Sequence, residues 1–502
     1  MEKFYLDKLK RDYIISIDQG TTSSRAILFN TQGKLLFKSQ LEFKQYFPKN
    51  GWVEHDPEEI WNKTKKVLVD VINKSKKLKG NILTIGITNQ RETTILWDRV
   101  SGKPVYNAIV WQDRRTTDFC TKYRSKKRER LINKKTGLLI DSYFSGTKIK
   151  WILENVSKAK KLLKKKQLLF GTIDTFLLWR LTKGYIHATD ATNACRTMLY
   201  NITTNKWDNQ ILKSLKIPKH ILPEVKNSSD DFGQTHKSIT GKSYPINGII
   251  GDQQAAAVGQ CCFKKGLVKS TYGTGAFVLM NTGNRKVYSK NRLLTTICYQ
   301  LKGKSTYALE GSIFIAGAGV QWLRDKIKLI GDADETEKIA KSLKSNNGVY
   351  FVPAFTGLGA PYWDSKARGI LSGLTGNTGP KEIVRAVIES SAYQSFDLFN
   401  AMKSDGLKPS IIKVDGGMVK NNWFSQFLSD VLNLKVYRTQ IEESTALGAA
   451  FMAGLKVGVY KSLNDLVKIW KIDKEFNPKI KNSKRRELID GWSKAVKKTL
   501  IH

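Results

Sequence analysis

A polar turn between two strand-like runs is the feature that most constrains the fold of this chain. Residues 13–17 and 25–29 are short, apolar and rich in β-branched side chains, and the turn between them holds Gly, Thr and Ser. Residues 34–43 predict a third strand. A helix follows, because Asp56 can cap its start and Pro57 suits its first turn. With an apolar strand over 81–88 next, this order predicts an α/β domain.

The same plan begins again in the middle of the chain. Residues 266–270 predict a strand, 271–275 a second turn of Gly and Thr, and 276–280 another strand. The chain has 502 residues, whereas one hydrophobic core rarely grows beyond about 250–300 residues. We therefore expect two α/β domains, residues 1–258 and 259–502, with a ligand cleft between them.

Composition argues against several other classes of protein. Five cysteines in so long a chain do not make a disulfide scaffold. The first residues lack the apolar core of a secretory signal, and no run approaches 18 consecutive apolar residues. We expect a cytoplasmic protein without a membrane span.

The chain is strongly basic, with a formal net charge of +41. The densest stretch, 121–170, holds 16 lysines and arginines against three acidic residues. Apolar residues recur in it at helical spacing, which predicts an amphipathic helix whose lysines face water. Since no stacking-aromatic motif or zinc finger accompanies the charge, we expect no nucleic-acid partner.

The first turn has the composition of a phosphate-binding loop. Gly20 lets the backbone approach an anion, and Thr21, Thr22 and Ser23 offer hydroxyl and amide donors. Asp18 ends the preceding strand, where its carboxylate can reach a hydrated Mg²⁺, an ion that takes only one or two protein carboxylates. A plain hairpin turn is the alternative interpretation of this motif taken alone.

Two later turns follow the same logic. The turn at 271–275 contains Thr274 between two glycines, and no Gly-Lys-Ser/Thr follows either turn, which excludes a Walker A loop. At 414–422, Gly416 and Gly417 let a flat ring approach the backbone and Asn421 offers an amide. Phosphate turns at the start of both halves favour a bound nucleotide.

With these three motifs the chain closely resembles the FGGY carbohydrate kinases, within the actin-like ATPase superfamily. Residues 143–155 and 369–389 fit that family's patterns, and the matching motifs extend from residue 18 to beyond 450. The resemblance implies an α/β fold of two actin-like (ribonuclease H-like) domains with an active-site cleft between them. The stretches 86–94, 111–115, 251–254 and 271–277 are most similar to family members that phosphorylate glycerol.

The resemblance implies an enzyme that uses MgATP to phosphorylate glycerol to sn-glycerol 3-phosphate. Family members form dimers or tetramers, so it also implies a homodimer or homotetramer. The residues that it places around glycerol are Arg91, Glu92, Trp111, Tyr143, Asp252, Gln253 and Phe277. Trp111 and Phe277 would be the apolar walls, and the others would bind the hydroxyl groups.

The implied chemistry is in-line phosphoryl transfer. Asp252 would be the general base, Arg25 would offset charge on the β- and γ-phosphates, and Asp18 would lie near Mg²⁺. The residues expected to bind the nucleotide are Thr21, Thr22, Ser23, Arg25, Thr274, Gly317, Gln321, Gly417 and Asn421.

Three alternatives compete with this interpretation. The chain could phosphorylate another polyol or a ketopentose with the same fold and a different pocket. It could be a non-catalytic actin-like switch, which would not need the pairs Arg91-Glu92 and Asp252-Gln253. Its charge alone would also suit a nucleic-acid-binding protein, for which a steep salt dependence of binding would be the sign.

Overall fold

The structure, a computed structural model, describes residues 12–364, 366–441 and 443–501. The chain forms two compact units. The first comprises Met1–Cys261, Thr295–Tyr307 and Glu443–Trp470, and the second comprises Cys262–Leu294, Ala308–Glu442 and Lys471–His502. The first break lies close to residue 258, but two later segments return to the first unit, so the units are not two continuous halves.

The first unit is built on a five-stranded sheet. Its strands, in spatial order, are Ile246–Gly251, Asn81–Asn89, Asp12–Gln19, Ser23–Asn30 and Leu35–Glu42. The first three are parallel and the last two add as antiparallel neighbours. Because parallel strands end at one edge of a sheet, Gln19, Asn89 and Gly251 lie side by side.

A late helix, Ser444–Lys456, packs on this sheet through small residues. A Cβ atom on Gly448 would lie 1.8 Å from the Ala255 carbonyl oxygen, and one on Gly86 would lie 2.3 Å from that of Ala449. Only glycine allows such close approach of two backbones. This close packing is the physical reason why residues 443–470 belong to the first unit.

The predicted opening elements are present. The helix Pro57–Lys77 begins where Asp56 accepts a hydrogen bond from the Glu58 amide, and its apolar face lies in the buried core. The other helices of this unit are Thr117–Tyr123, Lys126–Thr136, Ser145–Asn155, Ser157–Lys164, Ile173–Leu181, Ala191–Ala194, Asn209–Leu215, Lys237–Thr240, Asp252–Gly259 and Leu463–Ile469, with a 3₁₀ turn at Lys219–Ile221. Short strands are Gln45–Tyr46, Glu54–His55, Ile95–Asp98, Ala108–Ile109, Leu168–Gly171, Ala188–Asp190, Tyr200–Asn201, Lys206–Trp207 and Glu224–Lys226.

The second unit repeats the plan of the first. Its strands Lys435–Thr439, Ile411–Asp415 and Leu267–Tyr272 are parallel neighbours, and Ala276–Gly283 adds to the last of them as an antiparallel hairpin. This confirms the predicted repeat of strand, turn and strand. Further strands of this unit are Tyr350–Val352, Ile370–Ser372 and Ile472–Phe476. The strand Leu294–Leu301 belongs to the first unit except for Leu294, and the strand Lys304–Ile313 belongs to the first unit up to Tyr307 and to the second from Ala308. Helices are Gly317–Asp325, Glu335–Ser342, Pro380–Ser404, Asn422–Leu432 and Asn482–Thr499, with a 3₁₀ turn at Gly417–Lys420.

The basic stretch 121–170 differs from the prediction in two respects. Its apolar run forms two helices, Ser145–Asn155 and Ser157–Lys164, which meet at Val156. The lysines of the second helix are exposed as predicted, but Lys148 in the first helix is fully buried. Within the parts of the chain that are described, no helix is both long and apolar enough to cross a bilayer.

Candidate active site

The predicted site residues of the first unit gather where its parallel strands end. The Gln90 amide donates to the Gln19 carbonyl at 2.7 Å, and the Gln90 side chain donates to the Gly20 carbonyl at 3.1 Å. These bonds join the first turn to the segment that carries Arg91 and Glu92. Asp252 follows the neighbouring strand and is the first residue of the helix Asp252–Gly259.

The first turn is tighter than the sequence suggests. The strands continue through Gln19 and restart at Ser23, so only residues 20–22 turn, closed by a bond of 2.9 Å from the Gly20 amide to the Ser23 carbonyl. Thr22 is exposed. The Ser23 hydroxyl is buried and accepts a hydrogen bond at 3.3 Å from Gln40, on the neighbouring strand Leu35–Glu42.

Asp18 and Arg25 are cross-strand partners in this hairpin. Arg25 Nη1 lies 3.6 Å from Asp18 Oδ2 and 3.0 Å from Glu443 Oε2, and Lys38 Nζ lies 2.9 Å from Glu443 Oε1. Burial raises the pKa of Asp18, the cation of Arg25 opposes that shift, and Glu443 adds to it. The result is a nearly buried carboxylate beside a fixed guanidinium at the end of a strand.

Arg91 is the centre of the second group of contacts. Its side chain is buried, with Nε 3.0 Å from Asp252 Oδ1 and Nη1 donating to Gln254 Oε1 at 3.1 Å. The Asp252 side chain keeps 30% of its surface exposed, so a reactant can reach it. Asp252 Oδ1 also accepts from the Gln253 amide at 2.7 Å, which fixes the carboxylate at the helix start.

Glu92 lies beside Arg91 and is held by a second arginine. Arg196 Nε donates to Glu92 Oε1 at 2.5 Å, and the Arg196 guanidinium carbon lies 5.4 Å from the centre of the Tyr143 ring. Tyr143 in turn packs edge-on against Trp111, with ring centres 5.7 Å apart. Trp111 Nε1 donates to the Thr21 hydroxyl at 3.1 Å, so these contacts lead back to the first turn.

Six of the seven residues expected around glycerol therefore lie in one connected set of contacts. Thr21, which we expected to bind the nucleotide, belongs to the same set. All of them belong to the first unit; Phe277, the seventh, lies on the strand Ala276–Gly283 of the second unit. The prediction for Phe277 stays a prediction.

Three residues that contact the predicted site residues were not expected from the sequence. Arg196, Gln254 and Glu443 contact predicted site residues through their side chains. Gln254 lies within the recognised stretch 251–254 and could have been included on that ground. Arg196 and Glu443 lie far along the chain from their partners, so no local pattern pointed to them.

The second unit holds its turn in a comparable way. The Thr274 carbonyl accepts bonds of 2.9 and 3.0 Å from the amides of Ala316 and Ala318, and the Gly273 carbonyl accepts one of 2.9 Å from Gly317. A Cβ atom on Gly317 would lie 2.6 Å from the Gly273 carbonyl oxygen, so glycine is required there. The Thr274 side chain is exposed, as is Gln321 one turn into the helix.

The third motif forms a bend next to the ends of the paired strands Leu267–Tyr272 and Ile411–Asp415. Gly416 has a φ of +98°, and a Cβ atom there would lie 2.4 Å from the Tyr272 carbonyl oxygen, whereas Gly417 has open space around it. The Asn421 side chain caps the helix Asn422–Leu432 by accepting from the Phe424 amide at 2.9 Å, and donates to Thr336 at 3.1 Å. Asn421 thus has a local structural task besides any contact with a nucleoside.

Comparison with known proteins gives matches along almost the whole chain. Residues 13–259 match the N-terminal domain, and residues 268–457 the C-terminal domain, of the FGGY family of carbohydrate kinases. Glycerol kinase from Alteromonas mediterranea is 55% identical over 485 residues, which cover 96% of this chain and 98% of that protein. Glycerol kinase 1 from Pseudomonas aeruginosa is 54% identical and covers 97% and 98%.

Solved structures agree with these matches. The crystal structure of Plasmodium falciparum glycerol kinase with ADP has a TM-score of 0.94 to this chain at 42% identity, and the match covers 98% of this chain and 99% of that one. Ligand-bound xylulose kinase from Lactobacillus acidophilus has a TM-score of 0.87 at 23% identity, covering 97% of both chains, a likeness of fold alone.

Proposed function

Since the chain belongs to the FGGY family of carbohydrate kinases, we infer that it transfers the γ-phosphoryl group of ATP to glycerol and forms sn-glycerol 3-phosphate. The observation that carries this function is the identity of about half of all residues to glycerol kinases over nearly the full length. The connected polar set around Arg91 and Asp252 supplies the chemistry that such a reaction needs.

Asp252 is our proposed general base. The attacking hydroxyl of glycerol gives its proton to the Asp252 carboxylate as the new oxygen–phosphorus bond forms and the bond to ADP breaks. The ion pair with Arg91 favours the ionised carboxylate that can accept this proton. General-base assistance of this kind contributes roughly 10²- to 10⁴-fold in rate.

We assign the hydroxyl groups of glycerol to Arg91, Glu92, Tyr143 and Gln253, and its carbon edge to Trp111 and Phe277. Carboxylate and guanidinium groups held by other protein charges can meet a triol without first rearranging. The contact between Arg196 and Glu92 supports such pre-organisation.

We assign the nucleotide to the first turn and to the turns at 271–275 and 414–422. Arg25 would face charge on the β- and γ-phosphates, while exposed Thr22 and Thr274 offer hydroxyl and amide donors. The Ser23 hydroxyl is engaged by Gln40, so we propose that Ser23 contributes through its backbone. The remaining residues assigned to the nucleotide are Thr21, Gly317, Gln321, Gly417 and Asn421.

The donors available at the end of the first strand suit Mg²⁺. In the described part of the chain, no group of three or more His, Cys, Asp or Glu side chains is arranged to hold a metal ion, and Asp18 offers one nearly buried carboxylate at the end of a strand. Mg²⁺ typically takes one or two protein carboxylates and completes its shell with water and substrate phosphates. We propose that Asp18 holds it, where the ion would neutralise phosphate charge during transfer.

The setting of the reaction is also proposed. All five cysteines are buried thiols, which is typical of a reducing compartment, and we place the enzyme in the cytoplasm. By family resemblance we propose a homodimer or homotetramer, which light scattering on the purified chain would test.

The direct test is turnover with MgATP on glycerol, beside a no-substrate control and a panel of ketopentoses. We expect ADP to form only with glycerol, and the product to be the sn-3 phosphate by chiral analysis. ADP formation with a ketopentose but not glycerol would overturn the substrate assignment. An absence of substrate-dependent ADP formation would overturn the kinase function.

A further inference from the structure

The helix Ser145–Asn155 contains a buried lysine, Lys148, to which the proposed reaction assigns no role. Lys148 is fully buried, and burial lowers its pKa to about 7. A lysine is almost never fully buried without a partner, because removing an ammonium group from water is costly. Its two hydrogen-bond acceptors are main-chain carbonyls, those of Tyr143 at 2.8 Å and Glu92 at 3.4 Å.

Both acceptors belong to residues that we assign to glycerol. Glu92 adopts a φ of +60°, a left-handed conformation that non-glycine residues rarely take and that surrounding contacts must hold. Besides Lys148, its carbonyl accepts bonds from the Ser145 hydroxyl at 3.0 Å and the Thr94 hydroxyl at 3.1 Å. The backbone that aims the Glu92 carboxylate is therefore fixed by three donors.

The side chains of the same two residues are joined by a different cation. Arg196 binds the Glu92 carboxylate and lies over the Tyr143 ring, while Lys148 binds the two carbonyls. Glu92 and Tyr143 are thus connected twice, at the backbone by Lys148 and at the side chain by Arg196. Neither connection involves Asp18 or Arg25, on the phosphate side.

We propose that Lys148 is a positioning residue for the substrate: it holds Glu92 and Tyr143 in the mutual orientation that binds the hydroxyl groups of glycerol. The proposal rests on the function proposed above. Its consequence is selective, because loss of this donor should weaken glycerol binding and leave the nucleotide turns intact.

The test compares Lys148→Met, which keeps the length and removes the donor, with Lys150→Met on the same helix, whose lysine pairs with Glu154. For Lys148→Met we expect a KM for glycerol at least about tenfold higher, the scale of leaving a buried hydrogen-bond acceptor without its donor. The KM for ATP and the affinity for ADP should stay within about twofold. Lys150→Met should match the wild type in all three.

A second variant guards against a failure to fold. Lys148→Gln is neutral and keeps one shorter donor, so we expect a smaller increase in glycerol KM, about threefold or more. An unchanged glycerol KM in whichever folded variant is obtained would overturn the proposal. So would equal increases in both KM values with a lower melting temperature, which indicate general structural support. Because wild-type turnover on glycerol is measured in the same series, failure of the proposed function would be seen separately.

Discussion

Arg91 and Asp252 form an ion pair with 3.0 Å between Nε and Oδ1, in which the arginine is buried and the carboxylate is partly exposed. The arginine follows one strand of the sheet and the aspartate follows its parallel neighbour, so the strand order brings them together. Arg91 can therefore orient the Asp252 carboxylate and favour its ionised form, while the exposed side of that carboxylate stays accessible to a reactant.

Replacing the proposed base should remove turnover without removing binding. For Asp252→Asn we expect kcat with glycerol to fall by at least about 10²-fold, because the amide cannot accept the hydroxyl proton. The affinity for ADP should be nearly unchanged. The control is Asp118→Asn, an exposed aspartate of the same unit. Retention of more than a tenth of the wild-type kcat would show that another group is the base.

Glu443 should act on the nucleotide rather than on glycerol. Its carboxylate anchors Arg25 at 3.0 Å and Lys38 at 2.9 Å. Glu443→Gln should raise the KM for ATP about fivefold, since a partly buried charged contact is worth about 1 kcal/mol. Steady-state kinetics with each substrate varied would show this, beside Glu42→Gln as an exposed control. A change confined to the glycerol KM would contradict the assignment of Arg25.

The packing of the helix Ser444–Lys456 should depend on the absence of a side chain at Gly448. Gly448→Ala places a methyl group 1.8 Å from the Ala255 carbonyl oxygen unless the helix shifts. Overpacking of this kind costs about 1–3 kcal/mol, so Tm should fall by at least about 2 °C in a thermal melt. Gly376→Ala, where the added methyl group has open space, should leave Tm unchanged. Equal Tm values for the two variants would show that the helices Ser444–Lys456 and Asp252–Gly259 can move apart at little cost in stability.

His55 should make stability depend on pH. Burial lowers its pKa to about 4, against about 6.5 in an unfolded chain. Between pH 4 and 6.5 the unfolded state binds more protons, so the free energy of unfolding falls as the pH decreases through this range. The stability that the neutral, buried His55 contributes is fully present above pH 6.5, and about 2 kcal/mol of it is lost at pH 5.

Urea unfolding at pH 7.5 and pH 5 would measure this contribution. In His55→Gln the decrease in unfolding free energy between the two pH values should be smaller than in the wild type. His220→Gln, at an exposed position, should keep the wild-type decrease. The comparison between variants matters, because buried carboxyls such as Asp174, whose pKa burial raises to about 7, act in the opposite direction. Identical decreases in wild type and His55→Gln would contradict the prediction.

Local patterns in the sequence were sufficient for the hairpin of each half, the helix capped by Asp56 and the family to which the chain belongs. Hydrophobic periodicity, turn glycines and caps act over a few residues, so they can be recognised without a structure. The motifs also identified Arg91, Trp111, Tyr143 and Asp252, which the structure brings together within the first unit.

The tertiary structure alone decided which distant groups complete that set. Glu443 reaches Arg25 only because the helix after it packs on the first sheet through glycines, and Arg196 reaches Glu92 from a separate segment. Lys148 shows the limit most clearly, since it stands in a lysine-rich stretch in which most of the other lysines are exposed. Burial and long-range partners depend on how elements pack, and a residue's sequence neighbours carry no information about the segment that will cover it.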